Sequence, residues 1–553
     1  MIFKRLMRVS LVILTTMTGL SAYATNVDLA SARSIASSFL KQHTAIPGAY
    51  NTPALADLKL AYAESSSVDK SANAYYAFNI DGGGFVIISG DDRASQVLGF
   101  SDKGRIDFAN MPDNLRALLD GYKRQIEYLQ LHPTAKVASR LISENSEVIV
   151  EPLIKTEWGQ QMPYFLQCPT YQGQHCKVGC SGVQMAQILY YWQYPTTCGP
   201  IASYTCSMIS ATLEELPVTT FDYSKMLHSY CHWDYDLGET VQDNYTEEQV
   251  QEVAKLCRYV GQAAKVSYSL SSSFTNGPNK LAGMKKLGYN PNAKSLSYTS
   301  SYTTESWERL MRAELDAGRP IMYGAKHVGT ASTSHAFIFD GYDNNGYFHI
   351  NFGWYGVNNG WFLTTAIITT TLDGSYRDYG SNHYMFTNME PPEYCKVIAK
   401  DIDAEGGLLL LGGLLQPRAS RVNLYTTYSD VDLLFTLTDQ EGNRVATSDL
   451  IHVVKNDFVQ RSDIYGTITL PTTMTDGTYD LQFNYLVNGT ASTIDISQGK
   501  LIVTGKFAKF NAPFDIEDVT AAIDYLLNGT AADNVELSID DVIMLIDHIM
   551  TQD

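Results

Sequence analysis

The spacing of apolar residues changes along this chain and divides it into regions. Between residues 25 and 147, helical and strand-like spacing predict two helices and two strands, at 29–40, 115–129, 74–80 and 84–89. A short turn at 81–83 joins the two strands. This region is therefore expected to form a small α+β unit.

Two patterns stand out between residues 148 and 391. After Cys180, apolar residues recur at helical spacing, and no Gly or Pro occurs between Gly182 and Pro195. This predicts a buried helix that begins at Cys180. Further on, two apolar runs predict a hairpin in which His335 begins the first strand and Asn351 lies near the end of the second.

These two patterns together suggest a nucleophile and its base. A neutral thiol reacts poorly, so a working cysteine needs a thiolate, which a helix N-terminus and an imidazole both favour. Cys180 and His335 fit these roles, and the side-chain carbonyl of Asn351 could orient the imidazole. A single Cys or His is more often structural, but the pairing favours catalysis. His175 and His327 are rival bases that lie in neither pattern.

The residues around Cys180 and His335 resemble the streptopain-like family of cysteine peptidases, which have a papain-like α+β fold. The nucleophile motif appears as Gly179-Cys180, Ala186-Gln187 and Tyr191-Trp192-Gln193-Tyr194-Pro195. The base motif appears as His335-Ala336-Phe337, Asp340-Gly341, His349, Asn351, Gly353 and Trp354. Upstream, residues 158–164 look like the family segment that carries the oxyanion-hole glutamine, here Gln160.

The resemblance implies a role for each site residue. Cys180 would attack the scissile carbonyl, and His335 would protonate the leaving amine. The Gln160 amide and the Cys180 backbone N–H would stabilise the oxyanion. Asn351 would orient His335, and Trp354 would shield this pair from water.

The chain also departs from the family pattern near both reacting residues. Ser181-Gly182-Val183-Gln184 replaces Val-Ala-Thr-Ala, Ser334 replaces Gly, and Phe352 replaces Trp. These changes remove no reacting atom, but they line the cleft, so the family's substrate preference need not apply.

The same resemblance extends to the N-terminal region, where residues 84–92 look like part of the family's inhibitory propeptide. Residues 25–147 would then block the cleft before activation. The polar stretch 136–151, which contains Arg140, is the expected activation linker.

Composition and the N-terminus suggest the compartment. Lys4, Arg5 and Arg8 precede an apolar run at 11–22, and Ala22-Tyr23-Ala24 provides small residues for cleavage, so residues 1–24 are expected to be a secretory signal. A membrane anchor is the alternative, but a spanning helix needs about 20 apolar residues. The formal net charge of −19 disfavours nucleic acid and anionic membranes as partners.

Cysteine usage gives no sign of a disulfide scaffold or a metal centre. Eight cysteines are few for a chain of this length, and removing Cys180 from the pairing leaves an odd number. No Cys-x-x-Cys pair is present. Neither a cofactor nor a metal site is predicted.

Beyond residue 391 the chain changes character twice. Short, regularly spaced strands at 408–411, 422–426, 433–437, 466–470, 479–485 and 500–503 predict an all-β, Ig-like sandwich over 392–507. Residues 508–553 contain a repeated helical pattern that resembles a two-helix dockerin-like docking module. Calcium is not expected there, because the spaced Asp and Asn ligands are missing before Ile516. The many acidic residues could meet a basic partner or simply face water.

The sequence therefore predicts a secreted zymogen of a cysteine endopeptidase that acts on protein or peptide substrates and is inhibited by its own propeptide. The regions are expected at 1–24, 25–147, 148–391, 392–507 and 508–553. One alternative is an inactive binding protein that retains the peptidase fold. Another is a different Cys/His acyl-transfer enzyme, such as an amidase or a transglutaminase.

Overall fold

The computed structural model describes most of the chain, namely residues 26–42, 58–132, 135, 146–299, 301–326, 334–366, 383–404, 407–426, 430–454, 462–487, 489–494, 496–528 and 536–551. The predicted signal segment, most of the predicted activation linker and His327 lie outside these residues. Among the described helices, none combines the length and the apolar character needed to cross a bilayer.

The N-terminal region is an antiparallel sheet with a helix on each face. Its elements are α1 (Leu29–Gln42), β1 (Leu58–Ser65), β2 (Asn73–Ile80), β3 (Phe85–Ser89), β4 (Val97–Ser101) and α2 (Asp113–Leu131). Tyr76 and Phe78 belong to the apolar cluster that includes helix α1, whereas Tyr75 and Ala77 belong to the cluster that includes α2. Both faces of β2 are therefore buried. The two predicted helices and two predicted strands are confirmed, while β1 and β4 were not predicted.

Among the described residues of the middle region, four α-helices pack around a set of strands. The helices are α3 (Cys180–Trp192), α4 (Glu247–Ala263), α5 (Gly277–Lys286) and α6 (Thr304–Asp316). The strands of the main sheet are β5 (Val148–Val150), β14 (Lys294–Ser297), β15 (Ile321–Lys326), β16 (Ser334–Asp343), β17 (Phe348–Asn351), β18 (Gly360–Phe362) and β19 (Tyr384–Thr387).

Between α3 and α4, strands of two to four residues pair into small two-stranded sheets. They are β8 (Thr197–Cys198), β9 (Tyr204–Cys206), β10 (Ala211–Leu213), β11 (Thr219–Thr220), β12 (Cys231–Asp234) and β13 (Glu239–Gln242), and the pair β6 (Thr170–Tyr171) and β7 (Gln174–His175) precedes α3.

The N-terminal and middle regions share one sheet. Its strand order is β1-β2-β3-β4-β18-β17-β16-β15-β19-β14, with β5 paired to β16. The two regions join where β4 pairs antiparallel with β18, so that Phe100 lies opposite Trp361 and Gly99 opposite Phe362. Backbone hydrogen bonds as well as side-chain packing therefore hold the N-terminal region in place.

The C-terminal region is rich in β-strands, as predicted. Its strands are β20 (Cys395–Ile398), β21 (Asp401–Ala404), β22 (Leu409–Leu410), β23 (Leu414–Leu415), β24 (Pro417–Thr426), β25 (Asp430–Thr438), β26 (Arg444–Thr447), β27 (Ile451–Val454), β28 (Ser462–Tyr465), β29 (Ile468–Thr469), β30 (Gly477–Val487), β31 (Thr490–Thr493), β32 (Gly499–Thr504) and β33 (Phe507–Phe510). The larger sheet has the order β22-β33-β32-β30-β25-β26, and the smaller has the order β20-β24-β21.

Two helices end the described chain, α7 (Ile516–Asn528) and α8 (Ile539–Met550). Both predicted helices are thus confirmed. Val519, Ala522, Val542 and Leu545 pack with Phe507 in a separate apolar cluster. The pair therefore rests on the β-rich region, and its resemblance to a docking module stays a prediction.

The close approach at the shared sheet makes Gly99 a sensitive position. A methyl carbon there would lie 2.4 Å from the Phe362 ring and 3.1 Å from the Trp361 carbonyl oxygen. Gly99→Ala is therefore expected to lower the free energy of unfolding by about 1–3 kcal/mol through overpacking, as measured by urea denaturation of the full chain. Ala109→Val, which adds bulk at an exposed loop position, is the control. An unchanged midpoint in Gly99→Ala would contradict the tight junction.

Candidate active site

Cys180 is the first residue of helix α3, as the sequence predicts. The residue before it, Gly179, has φ 80° and ψ 150° and provides no capping side chain. A Cβ atom on Gly179 would lie 2.2 Å from the Ser273 carbonyl oxygen, so only glycine fits there. The first N–H groups of the helix are consequently not capped by the residue at its N-terminus, and the positive end of its dipole lies at the half-buried Cys180 thiol.

A buried amide connects the start of α3 to the strand that carries His335. Gln184, one helical turn after Cys180, donates a hydrogen bond of 2.8 Å from Nε2 to the Tyr323 carbonyl oxygen. The same nitrogen donates to the carbonyl oxygen of Phe337, two residues after His335. His335 itself is half-buried and lies opposite Ala325 in the β15–β16 ladder. The backbones around the two predicted reacting residues are thus held against each other.

Asn351 ends strand β17 and is 2% exposed. Its Oδ1 accepts hydrogen bonds from Gln187 Nε2 at 3.2 Å and from the Gly353 backbone N–H at 3.0 Å. Its Nδ2 donates to the Thr156 carbonyl oxygen at 2.8 Å. These bonds connect α3, the loop after β17 and the segment at Thr156. The orienting role of Asn351 toward His335 stays a prediction.

The loop that contains Gln160 lies beside the start of α3. The Gln160 carbonyl oxygen accepts a hydrogen bond of 3.0 Å from the N–H of Val178, two residues before Cys180. The Gln160 side chain is half-buried, whereas the neighbouring Gln161 is exposed. The backbone of Gln160 is therefore bonded to the segment that leads into α3, and its oxyanion-hole role stays a prediction.

Trp354 belongs to a loop that contacts the Gln160 loop. The next residue, Tyr355, donates its N–H to the Trp158 carbonyl oxygen at 3.2 Å and accepts from the Gln161 N–H on its hydroxyl oxygen at 3.0 Å. A Cβ on Gly159 would lie 2.3 Å from the Tyr355 ring, which shows how closely the loops approach. Trp354 is half-buried at this junction.

A cavity of about 490 Å³ lies beside these loops. Part of its lining comes from the middle region and part from the N-terminal region, and the residues are Gln161, Trp233, Gly238, Glu239, Thr240, Trp354, Tyr355, Val357, Asn110, Met111 and Pro112. The N-terminal region therefore closes one side of the space next to the candidate site.

Asn114, near the start of α2, reaches the backbone beside His335. It is 3% exposed, and its Nδ2 donates to the Phe352 carbonyl oxygen at 3.0 Å and to the Ala336 carbonyl oxygen at 3.5 Å. The pattern of the sequence did not single out Asn114, because an asparagine early in a helix usually serves the helix itself.

Lys280 is a second residue that the sequence did not single out. It lies in α5 and is 0% exposed, and its Nζ donates to Gln184 Oε1 at 3.0 Å. The ammonium also lies 5.1 Å from the ring centroid of Tyr384 and 5.3 Å from that of Phe386. Burial lowers the pKa of Lys280 to about 8. The one sequence signal was Gln184, which replaces an alanine of the family pattern.

The remaining candidates lie elsewhere or form no site. His175 is in β7, with its Nδ1 3.1 Å from the Cys168 carbonyl oxygen. All eight cysteines are among the described residues, and each is a free thiol. Within the described ranges, no group of three or more His, Cys, Asp or Glu residues could hold a metal ion.

Comparisons with known proteins give two family matches. Residues 158–362 match the peptidase C10 family, and residues 24–126 match the Spi protease inhibitor family. Streptopain from Streptococcus pyogenes is 27% identical over 334 residues, which cover 57% of this chain and 79% of streptopain. The thiol protease/hemagglutinin PrtT from Porphyromonas gingivalis is 24% identical over 495 residues, which cover 83% of this chain and 53% of PrtT.

Among solved structures, a mutant prointerpain A fragment from Prevotella intermedia is 23% identical, with a TM-score of 0.48, and the match covers 60% of this chain and 98% of the fragment. The family matches give this chain a C10 peptidase region, preceded by an inhibitor-like region and followed by a β-rich one. The chain is therefore a cysteine-type endopeptidase that resembles the streptopain-like family.

Proposed function

We propose that this protein is a secreted zymogen whose peptidase activity depends on Cys180 and His335. The observation that carries the proposal is the hydrogen bonding of Gln184, which holds the N-terminus of α3 against the strand that begins at Ser334. Helix α3 supplies its dipole to the sulfur, and β16 supplies the imidazole.

The reaction would proceed through an acyl-enzyme. The Cys180 thiolate attacks the scissile carbonyl carbon, and its electron pair forms the C–S bond while the carbonyl oxygen becomes an oxyanion. Protonated His335 then gives its proton to the leaving amine as the C–N bond breaks. In the second half, His335 takes a proton from water, and the resulting hydroxide releases the new carboxylate from the thioester and restores the thiolate.

The oxyanion would be stabilised by the Gln160 side-chain amide and the Cys180 backbone N–H. The backbone position of Gln160, whose carbonyl oxygen accepts the Val178 N–H, supports this role because it lies beside the start of α3. Donors fixed in this way stabilise the charge that develops in the transition state. Trp354, in the adjoining loop, would shield the imidazole from water.

The N-terminal region would keep the enzyme inactive until it is removed. Three features support this: the match of residues 24–126 to an inhibitor family, the sheet shared between β4 and β18, and the Asn114 amide on the backbone next to His335. A side chain from the N-terminal region would thus occupy space that a bound substrate needs. Cleavage within the predicted linker at 136–151 would start activation.

The C-terminal units would bind or position rather than react. Helices α7 and α8 leave large apolar side chains exposed at matching places in the repeat, including Ile516, Leu527, Ile539 and Met550. Such exposed apolar residues are typical of contact surfaces. The two-helix module would therefore dock onto a partner, while the peptidase region carries out the reaction.

The deciding experiment compares the full chain with Cys180→Ala in a casein-cleavage assay. We expect the original chain to release peptide fragments and the variant to release none, because only the thiolate can form the acyl-enzyme. Cleavage that survives in Cys180→Ala would refute the proposed nucleophile. Transfer of an added amine into product, instead of release of fragments, would indicate an acyl-transferase, and an inert but folded original chain that also fails after removal of residues 25–147 would indicate a binding protein.

Gln160 and Gln161 offer a matched test of the oxyanion hole. Gln160→Ala is expected to lower kcat about 10²- to 10³-fold with little change in KM, since the lost donor acts mainly in the transition state. Gln161→Ala is the control, because Gln161 is exposed and its described hydrogen bonds use only backbone atoms. Steady-state kinetics on a peptide substrate measure both variants. If the effects are reversed, the role passes to Gln161.

Asn114 tests the inhibitory contact. Asn114→Ala leaves the Phe352 and Ala336 carbonyl oxygens without this donor, so the N-terminal region should release the cleft more readily and the chain should mature faster. The control is Asn110→Ala, at the exposed edge of the cavity. Time courses of the precursor band on gels give the rate. Identical rates for Asn114→Ala and the original chain would remove Asn114 from the inhibitory mechanism.

A further inference from the structure

The ammonium of Lys280 is buried without a carboxylate partner among the described ion pairs. Its hydrogen-bond acceptor in the described part of the chain is the neutral Gln184 side chain. Two aromatic rings, Tyr384 and Phe386, cover it. An isolated charge in such surroundings is unfavourable unless another charge compensates for it.

Within the part of the chain that the structure describes, Lys280 faces titratable groups on two elements. From α3 it interacts electrostatically with Cys180, and this interaction favours the charged ammonium against the effect of burial. From β19 it meets Tyr384, which also interacts with Cys180 and whose pKa burial raises to about 12, so that this hydroxyl is neutral at ordinary pH. The other lysines of α5, Lys285 and Lys286, are exposed. Cys180 is therefore the group here that can carry the compensating negative charge.

We propose that Lys280 is a positioning residue whose buried positive charge stabilises the thiolate of Cys180, with Gln184 holding the ammonium in place. This inference rests on the proposed role of Cys180 as the nucleophile. Lys280 acts through Cys180 and does not itself contact the substrate.

The arrangement around Gln184 explains how the ammonium is held. Gln184 Nε2 is fixed by two backbone carbonyl oxygens, which turns its Oε1 toward Lys280. An alanine at position 184, as in the family pattern, would leave the ammonium without this acceptor. Gln184 lies one helical turn from Cys180 and is buried, as is Lys280. In such a water-poor interior the charge of the ammonium acts over a longer range than it would at the surface.

The charge on Lys280 can be tested by the pH dependence of thiol alkylation. The purified full chain is treated with iodoacetamide between pH 5 and pH 9, and modification of Cys180 in the intact chain is followed by peptide mass spectrometry. Burial raises the pKa of Cys168 to about 12 and of Cys198, Cys231 and Cys395 to about 11, so these thiols react slowly in this range.

Two neutral variants separate charge from hydrogen bonding. Lys280→Met keeps the length of the side chain and loses the hydrogen bond, whereas Lys280→Gln keeps a donor for Gln184. Removal of a nearby positive charge destabilises the thiolate, so both variants should slow alkylation of Cys180 at pH 6 about tenfold. Lys285→Met, which removes an exposed charge from the same helix, should leave the profile unchanged.

The alternative outcomes are equally definite. If only Lys280→Met changes the profile, Lys280 acts through its hydrogen bond and the electrostatic inference is wrong. If neither folded variant changes it, Lys280 has no influence on the thiolate. If both variants fail to fold, the original chain is alkylated at several salt concentrations instead. Salt screens a fully buried charge poorly, so the alkylation profile of Cys180 should change little. A profile that moves steeply to higher pH with added salt would assign the stabilisation to surface charges and refute the inference.

Alkylation does not require peptide-bond cleavage, so the two proposals can fail separately. If the original chain cleaves casein through Cys180 and both lysine variants keep its alkylation profile, only the inference about Lys280 falls. If the variants shift the profile but the original chain, freed of residues 25–147, cleaves nothing, the proposed function falls and the electrostatic coupling remains.

Discussion

The site depends on the two buried glutamines of helix α3. Gln184 bonds to the backbone of β15 and β16, and Gln187 bonds to Asn351 and accepts from the Thr156 hydroxyl at 2.8 Å. A buried amide that loses its partners costs about 1–3 kcal/mol, so neither helix nor strands can slide without losing stability. Because the glutamines are three residues apart, they project from one side of the helix toward the sheet. The helix N-terminus, and with it Cys180, is thereby fixed against the strand of His335.

The shared sheet gives the N-terminal region a double role. Pairing of β4 with β18 satisfies the edge of the middle region's sheet, while Asn114 contacts the backbone next to His335. An unpaired edge strand exposes N–H and C=O groups that can pair with other chains. The same region therefore protects the edge and lines one side of the cavity next to the candidate site.

Lys280 illustrates a conflict between stability and chemistry. A cation buried beneath two aromatic rings contributes less to folding than an apolar side chain of similar size would. Its lowered pKa of about 8 reflects this cost. Residues that weaken the fold in this way are expected at functional sites, where the environment must favour a charged reacting group. The contact with Gln184 and the electrostatic interaction with Cys180 give the charge a function that packing alone does not explain.

The sequence by itself determined the local elements and indicated the candidate site residues. The apolar spacing after Cys180 predicted helix α3, the runs after His335 predicted β16 and β17, and the motifs indicated Gln160, Asn351 and Trp354. These features were accessible because they depend on neighbours in the chain. Strands β1 and β4 and the pairing of β4 with β18 were not predicted, since strand pairing is a contact between distant residues.

Only the tertiary structure brought Asn114 to the backbone beside His335 and Lys280 to Gln184. A buried lysine and an exposed one look alike in a sequence, because burial depends on which elements pack above the residue. The sequence thus determined which groups can react, and the packing decided which distant polar groups surround them.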